Sequence, residues 1–353
     1  MVAPIRIGTE WTRDVDTIID VRSPAEFAED HIPGAINLPV LSDAERAKVG
    51  TIHKQISPFE ARKLGASMAA TNIARHIQEN LKDQAAGWKP LVYCWRGGQR
   101  SGSMARILAE IGWVTTVLEG GYKYYRQRVS EELISRVDPL YPVLLQGPTG
   151  TAKTHILRAA SAAGGQVLDL EGLACHRGSL LGAEPGADQP GQRHFESLLH
   201  QALCQLDPSR PVLIEAESSR IGQCHIPRAL WQKMQHAPQI LIKADIAARV
   251  EFLKRDYAHI IASPETLTVL IDGMVYRHGH AICDEWRRQV SEGDWDGLVT
   301  ALITDHYDPA YQSSTRRRKG DVLGAITAGG LSPDDIPVLA ASVTELAEKA
   351  VMA

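Results

Sequence analysis

The chain has 353 residues, 44% of them hydrophobic and 23% charged, enough for two globular domains with a core each. Its 38 basic and 42 acidic residues leave a net charge of −4, which excludes a generally basic chain that coats nucleic acid but leaves room for a local basic patch. Five cysteines with no Cys-x-x-Cys pair exclude a disulfide scaffold and a zinc ribbon. MVAPIRIGTEWTRD has no signal-peptide pattern and no apolar run is long enough to cross a membrane, so a cytoplasmic protein with reduced thiols is expected.

Along the chain, TIIDV (17–21), PLVYC (90–94), PVLLQG (142–147), QVLDL (166–170), PVLIEA (211–216) and QILIKA (239–244) read as buried strands. Helical stretches at 61–82, 101–112, 153–163, 191–206, 227–236 and 245–260 separate many of them. This alternation predicts an α/β protein with two parallel-sheet domains. A charged helix runs into Asp138-Pro139 and should end there, because a residue before proline is pushed out of the α region. The predicted division is a first domain at 1–128, a linker helix at 129–140 and a second domain at 141–353.

The first chemical segment is PLVYCWRGGQRS (90–101). A buried strand ends at Cys94, and a helix follows Gly97, Gly98 and Arg100. A tight strand-to-helix turn aims several backbone N–H groups at one point, and the helix N-terminus adds positive potential. A sulfur held there favours its thiolate, while Arg96 and Arg100 can offer guanidinium groups to a tetrahedral anion. Together with DVR…EF…HIPGAINLP (20–39), this segment resembles the rhodanese family over roughly residues 14–128. In that resemblance Cys94 takes the position of the persulfide-carrying cysteine, and Asp20, Arg22, Glu26 and His31 are scaffold. Five residues separate Cys94 from Arg100, one more than in the short loop typical of sulfur-transferring members. A wider bowl suits a tetrahedral oxyanion or a larger chalcogen, so simple thiosulfate sulfurtransfer is not expected.

The second chemical segment, PVLLQGPTGTAKTHILRAA (142–160), sets a glycine-rich turn between strand and helix. Gly147, Gly150, Lys153 and Thr154 fit a phosphate-binding loop, in which backbone N–H groups ring the phosphate, the lysine reaches its outer oxygens and the threonine would sit on Mg²⁺ where a metal is used. Ala152 stands where glycine usually precedes the lysine, and it costs energy if that position needs positive φ. Glu215 and Glu217 leave the PVLIEAES strand, which resembles a Walker B strand, as carboxylates able to position a water-ligated Mg²⁺, to act as a base, or simply to cap the next segment. Asp245 reads as a helix N-cap, and the lack of an Asn-Lys-x-Asp element excludes a guanine-specific switch.

Further on, Glu171, His176 and Arg177 follow a strand and can line a ligand crevice. Cys175, Cys204, Cys224 and Cys283 lack metal-ligand spacing, and no metal site is expected. HYDPAYQSSTRRRKG (306–320) sets aromatics beside Arg316, Arg317, Arg318 and Lys319, a mixture able to stack bases and hold phosphates.

A rhodanese-like Cys loop and a P-loop NTPase-like domain in one chain resemble the bacterial tRNA 2-selenouridine synthases. The likeness includes Leu170–Ala174 with His176-Arg177-Gly178-Ser179, Glu217-Ser218-Ser219-Arg220-Ile221-Gly222, and His306-Tyr307-Asp308-Pro309. It implies that selenium from selenophosphate replaces sulfur in wobble 2-thiouridine of tRNA, through an S-geranyl intermediate made from geranyl diphosphate. It further implies a selenophosphate-producing enzyme as partner, no tightly bound cofactor, Cys94 as selenium carrier, and Glu217 or Arg220 near the diphosphate. Other readings stay open at this level: a Cys-dependent phosphatase, since Cys-x5-Arg also serves phosphoryl transfer; an ATP-dependent tRNA sulfurtransferase; and a non-catalytic, nucleotide-gated tRNA-binding protein.

Overall fold

The computed structural model describes residues 2–177, 188–216, 218–315 and 319–352. Glu217, Arg316, Arg317 and Arg318, with Gly178 and Ser179, lie outside the described residues. The chain divides into two compact units, Met1–Leu133 with Pro190–Gln201, and Ile134–Gln189 with Ala202–Ala353.

The first unit holds β1 (Ile5–Gly8), β2 (Thr17–Asp20), β3 (Ile36–Asn37), β4 (Pro90–Tyr93) and β5 (Thr115–Leu118), all parallel in the order β1-β5-β4-β2-β3. The central β4 is buried along its whole length, which is why it reads as an unbroken apolar run. The helices Asp43–Gln55 and Pro58–Glu79 begin at Ser42 and Ser57, whose hydroxyls accept first-turn N–H groups. Ile19, Val92, Ile73, Met104 and Leu108 are buried in one core. Beside it, Arg22 Nη2 donates to Asp20 Oδ2 and to the Asp30 carbonyl, each at 2.6 Å, the scaffold role expected of Asp20 and Arg22. Deleting one partner of such a buried pair costs about 3–5 kcal/mol.

The helix Gly121–Val137 stops just before Asp138-Pro139, and the expected linker at 129–140 is largely its continuation. Residues 190–201, expected in the second domain, pack in the first unit instead. Charge pairing accounts for this: Arg193 Nη1 lies 2.6 Å from Glu29 Oε1, His194 Nδ1 lies 3.3 Å from Asp30 Oδ1, and Arg126 pairs with Glu196.

The second unit holds β6 (Tyr141–Gln146), β7 (Val167–Leu168), β8 (Pro211–Glu215), a small antiparallel hairpin of β9 (Arg220–Ile221) and β10 (Cys224–His225), β11 (Gln239–Lys243) and β12 (Val322–Thr327). Its main sheet is parallel in the order β12-β11-β6-β8-β7. The expected strand 166–170 is short because Asp169 Oδ1 accepts the Gly172 N–H at 2.8 Å and starts the helix Leu170–Leu173. Asp245 does cap the helix Ile246–Asp256, accepting from Ala248 N at 2.7 Å. Val143, Leu145, Ile156, Leu213, Ile240 and Val343 share the core of this sheet. The helices Pro264–His278, His280–Glu292 and Trp295–Ala301 bury Ile271, Cys283 and Trp286 in a second cluster, and a wide π-helical turn, Leu302–Tyr307, follows them. Among the described residues no helix is long and apolar enough to cross a membrane.

Candidate active sites

Both loops leave the C-terminal end of a strand flanked by neighbours on each side, where parallel sheets open their ligand crevices. In the first unit Cys94 follows β4 directly and is 4% exposed. Its Sγ accepts the Gly98 N–H at 3.3 Å and lies 3.3 Å from Ser101 Oγ, at the start of the helix Gln99–Ile111. Burial alone pushes the thiol's pKa up. Hydrogen bonds from the Ser101 hydroxyl and from the amides of Ser101, Arg96 and Gly98 outweigh that and hold it below the ordinary thiol value.

Glycines make the turn feasible. Gly97 has φ +67°, and a Cβ there would stand 2.6 Å from the Leu118 carbonyl oxygen. Gly121, at φ +57°, packs so closely that a Cβ would strike the Cys94 carbonyl oxygen. The amides of Tyr122 and Lys123 donate to the Cys94 and Trp95 carbonyls at 2.8 and 3.0 Å. Gly120-Gly121 thus floor the bowl, a role sequence reasoning missed although the doubled glycine after β5 signals it.

The two arginines differ. Arg100 Nη1 donates to Glu26 Oε2 at 2.8 Å, and Arg46 Nε lies 2.9 Å from the same oxygen. Burial pushes the Glu26 carboxyl up, but the Arg100 hydrogen bond and the charges of Arg100 and Arg46 bring it below its usual value. Glu26 therefore positions Arg100. Arg96 is exposed and no side-chain hydrogen bond or ion pair engages it among the described residues.

In the second unit the turn after β6 needs Gly147 and Gly150. A Cβ on Gly147 would stand 2.8 Å from the Ile242 carbonyl oxygen, and Gly150 adopts φ +85° against Leu253. Ala152 has φ 56° and ψ 26°, so the condition raised from sequence is met, at a cost of about 1–2 kcal/mol for a left-handed non-glycine residue. From the helix Lys153–Ala162, Lys153 Nζ lies 3.3 Å from Glu215 Oε1. The Thr154 hydroxyl lies 2.8 Å from Glu215 Oε2 and 3.1 Å from Glu171 Oε2. Both carboxylates are buried. One ammonium against two carboxylates and a hydroxyl is an oxygen-rich set that fits Mg²⁺ beside a phosphate.

A second tie to the loop comes from Arg249, 3% exposed. Its Nε donates to the Thr149 carbonyl at 2.9 Å, while Nη1 and Nη2 grip Asp308 at 3.0 and 2.6 Å. Arg249 was not singled out in the sequence. Its signal was a charge on the apolar face shared with Val250 and Leu253, which demands a partner.

The remaining expected residues scatter around this centre. Arg177 Nη1 pairs with Asp256 Oδ2 at 2.7 Å and packs 5.0 Å from the Tyr257 ring centre. His176 and Arg220 meet at Gly222, where a Cβ would stand 2.8 Å from His176 Cδ2 and where the Arg220 Nε donates to the carbonyl at 2.7 Å. His306 and Tyr307 do not form an open stacking surface: His306 is buried and its Nδ1 lies 2.8 Å from His278 Nε2. Lys319 is exposed. Against Thr149 lies an apolar pocket of about 50 Å³, lined by Leu253, Tyr257, Ile260, Trp295, Leu302 and Tyr307 among others.

A depressed thiol on one parallel sheet and a lysine–threonine phosphate loop on another define a rhodanese-like domain joined to a P-loop AAA-type domain. The family model for the rhodanese-like domain matches residues 9–128, and that for the tRNA 2-selenouridine synthase AAA domain matches residues 140–267. The chain is 32% identical to a tRNA 2-selenouridine synthase of Alcanivorax borkumensis, over 87% of this chain and 91% of that one. It is 35% identical to a synthase of the same name from a Sulfurovum species, over 87% and 90%. One from Nitrosomonas europaea is 36% identical over 70% and 64%. The chain belongs to the tRNA 2-selenouridine synthase family.

Proposed function

We propose that this protein converts wobble 2-thiouridine of tRNA into 2-selenouridine, using selenophosphate supplied by a selenophosphate-producing enzyme, through an S-geranyl intermediate. In the first step the 2-thiouridine sulfur forms a bond to C1 of geranyl diphosphate as the C–O bond to diphosphate breaks. In the second a selenium lone pair attacks C2, the C–S bond breaks and geranylthiol departs. Alkylation turns a poor leaving group into a better one, and neither step needs an oxidant.

The observation that carries the reading is the apolar pocket set against Thr149 of the phosphate loop. A nucleoside diphosphate brings a polar sugar to that position; a prenyl diphosphate brings hydrocarbon. The pocket as it stands is narrower than a ten-carbon chain, so its aromatic walls, Tyr257 and Trp295, must part to admit one. The loop amides from Gly147 to Thr154 and the Lys153 ammonium then hold the diphosphate. Thr154, Glu171 and Glu215 would hold Mg²⁺, which neutralises charge on the departing diphosphate. Arg249 keeps the loop in place from behind.

In the first unit the Cys94 thiolate attacks phosphorus of selenophosphate, the P–Se bond breaks and selenide leaves to attack C2 of the base, and water then frees phosphate from the cysteine sulfur. The amides that lower its pKa, together with Arg96 and the Glu26-held Arg100, bind the phosphate oxygens of the donor. Mass spectrometry of tRNA nucleosides tests both assignments. Cys94→Ser should abolish 2-selenouridine while S-geranyl-2-thiouridine still forms, and Lys153→Ala should lose the geranylated nucleoside. Undiminished 2-selenouridine from Cys94→Ser, or normal geranylation by Lys153→Ala, contradicts the respective assignment.

A further inference from the structure

The first unit carries a cleft of about 1580 Å³ whose wall includes Arg96, Gly97, Gly98 and Arg100 of the thiol bowl. That volume exceeds the ~300–1,000 Å³ of ordinary small-molecule sites, and far exceeds what a selenophosphate anion needs. Its charge is one-sided: Arg46, Lys54, Arg62, Arg96, Arg100 and Arg106 line it, against the single carboxylate of Glu119. Lys54 closes the helix Asp43–Gln55, Arg62 lies in the opening turns of Pro58–Glu79 and Arg106 lies on Gln99–Ile111. All three are exposed, and among the described residues none of them has a side-chain hydrogen bond or ion pair. Unpaired like charges around one concavity repel each other, which costs stability unless an anion fills it.

We infer that this cleft is the RNA-binding surface, with Lys54, Arg62 and Arg106 contacting phosphates of the anticodon arm and leading the wobble base to Cys94. The inference rests on the tRNA-modifying reading above and adds to it the surface that holds the substrate. A polyanion with regularly spaced phosphates matches a large cleft walled by separate single cations on three helices. Arg96 to Arg100, which follow Cys94 in its loop, line the cleft, so an RNA strand lying in it passes beside the thiol loop.

The test uses the full chain and compares wild type, the triple variant Lys54→Gln/Arg62→Gln/Arg106→Gln, and the charge-keeping variant Lys54→Arg/Arg62→Lys/Arg106→Lys. Affinity for an anticodon stem-loop RNA is measured from low to physiological salt, with 2-selenouridine formation on tRNA followed alongside. The Gln variant should bind at least about tenfold more weakly, with its log–log salt slope shallower by about three, one for each phosphate no longer neutralised. The charge-keeping variant should bind like wild type, and both variants should show wild-type alkylation of Cys94, which reports an intact bowl. If the Gln variant binds RNA like wild type while wild type still makes 2-selenouridine, the cleft assignment fails and the functional reading stands. If wild type neither binds nor alters tRNA, both fail. Loss of binding to poly-glutamate but not to RNA in the Gln variant gives the cleft to an acidic protein surface and overturns the inference.

Discussion

The thiol bowl after β4 and the phosphate loop after β6 share one architecture and invert its charge. Each hangs a glycine-bearing turn from a strand inside a parallel sheet and feeds a helix N-terminus. Around Cys94 the close partners are the Gly98 amide, which donates to Sγ, and the Ser101 hydroxyl, both at 3.3 Å. Around Lys153 and Thr154 they are acceptors, the carboxylates of Glu215 and Glu171. The bowl is thus complete for stabilising an anion on its own atom. The phosphate loop instead sets a lysine and a threonine hydroxyl against two buried carboxylates. In the proposed reaction the same backbone device serves a resident nucleophile in one unit and an arriving diphosphate in the other.

Removing each centre in turn separates the two roles most strongly. Cys94→Ser should lower 2-selenouridine to background, the largest effect, read by nucleoside mass spectrometry. Lys153→Ala should slow geranyl transfer by about 10²–10³-fold, the scale for losing one charge-stabilising group, measured as single-turnover formation of S-geranyl-2-thiouridine. Next comes the distinction between the arginines. Arg96→Ala should raise the KM for selenophosphate more than Glu26→Gln does, because Arg96 is free to meet the donor whereas Glu26 only holds Arg100; steady-state kinetics in both variants decides this.

The donor set around the sulfur makes a pH prediction. The Cys94 pKa is lowered, so its thiolate persists below the pH at which an ordinary thiol loses it. Ser101→Ala removes the leading stabilising hydrogen bond, so the midpoint of iodoacetamide alkylation against pH should move up; an unchanged midpoint would falsify the donor account. The smallest expected effect belongs to Ala152→Gly. Relief of the left-handed alanine, about 1–2 kcal/mol, is partly offset by the ~0.5–1 kcal/mol entropic cost of glycine. Chemical denaturation should show a gain of up to about 1.5 kcal/mol.

Both sites were legible in sequence where their geometry is local. Cys94 to Ser101 and Gly147 to Thr154 are single loops, so a strand, its glycines and the next helix place their atoms within a few residues. Ala152 shows how far such reading reaches: its need for positive φ was stated as a condition, and the backbone meets it at 56°. What escaped depends on partners distant along the chain. Arg249 meets Asp308 and Thr149, and Gly121 floors the bowl of Cys94; a charge on an apolar face and a doubled glycine mark the two positions locally, but neither names its partner. Residues 190–201 join the first unit through Glu29 and Asp30, a pairing no helical periodicity records. The strands β1 and β12 escaped for a different reason: β1 is mostly exposed and β12 only half-buried, so neither presents the solid apolar run by which β4 and β6 were found.

If the thiol and the phosphate loop act in succession on one base, the two steps can be divided between two disabled proteins. The Cys94→Ser protein is supplied with 2-thiouridine tRNA, geranyl diphosphate and selenophosphate, and the nucleosides are followed over time. S-geranyl-2-thiouridine should accumulate, and adding the Lys153→Ala protein should then convert it to 2-selenouridine. Accumulated geranylated tRNA that the Lys153→Ala protein leaves untouched would overturn this order of events.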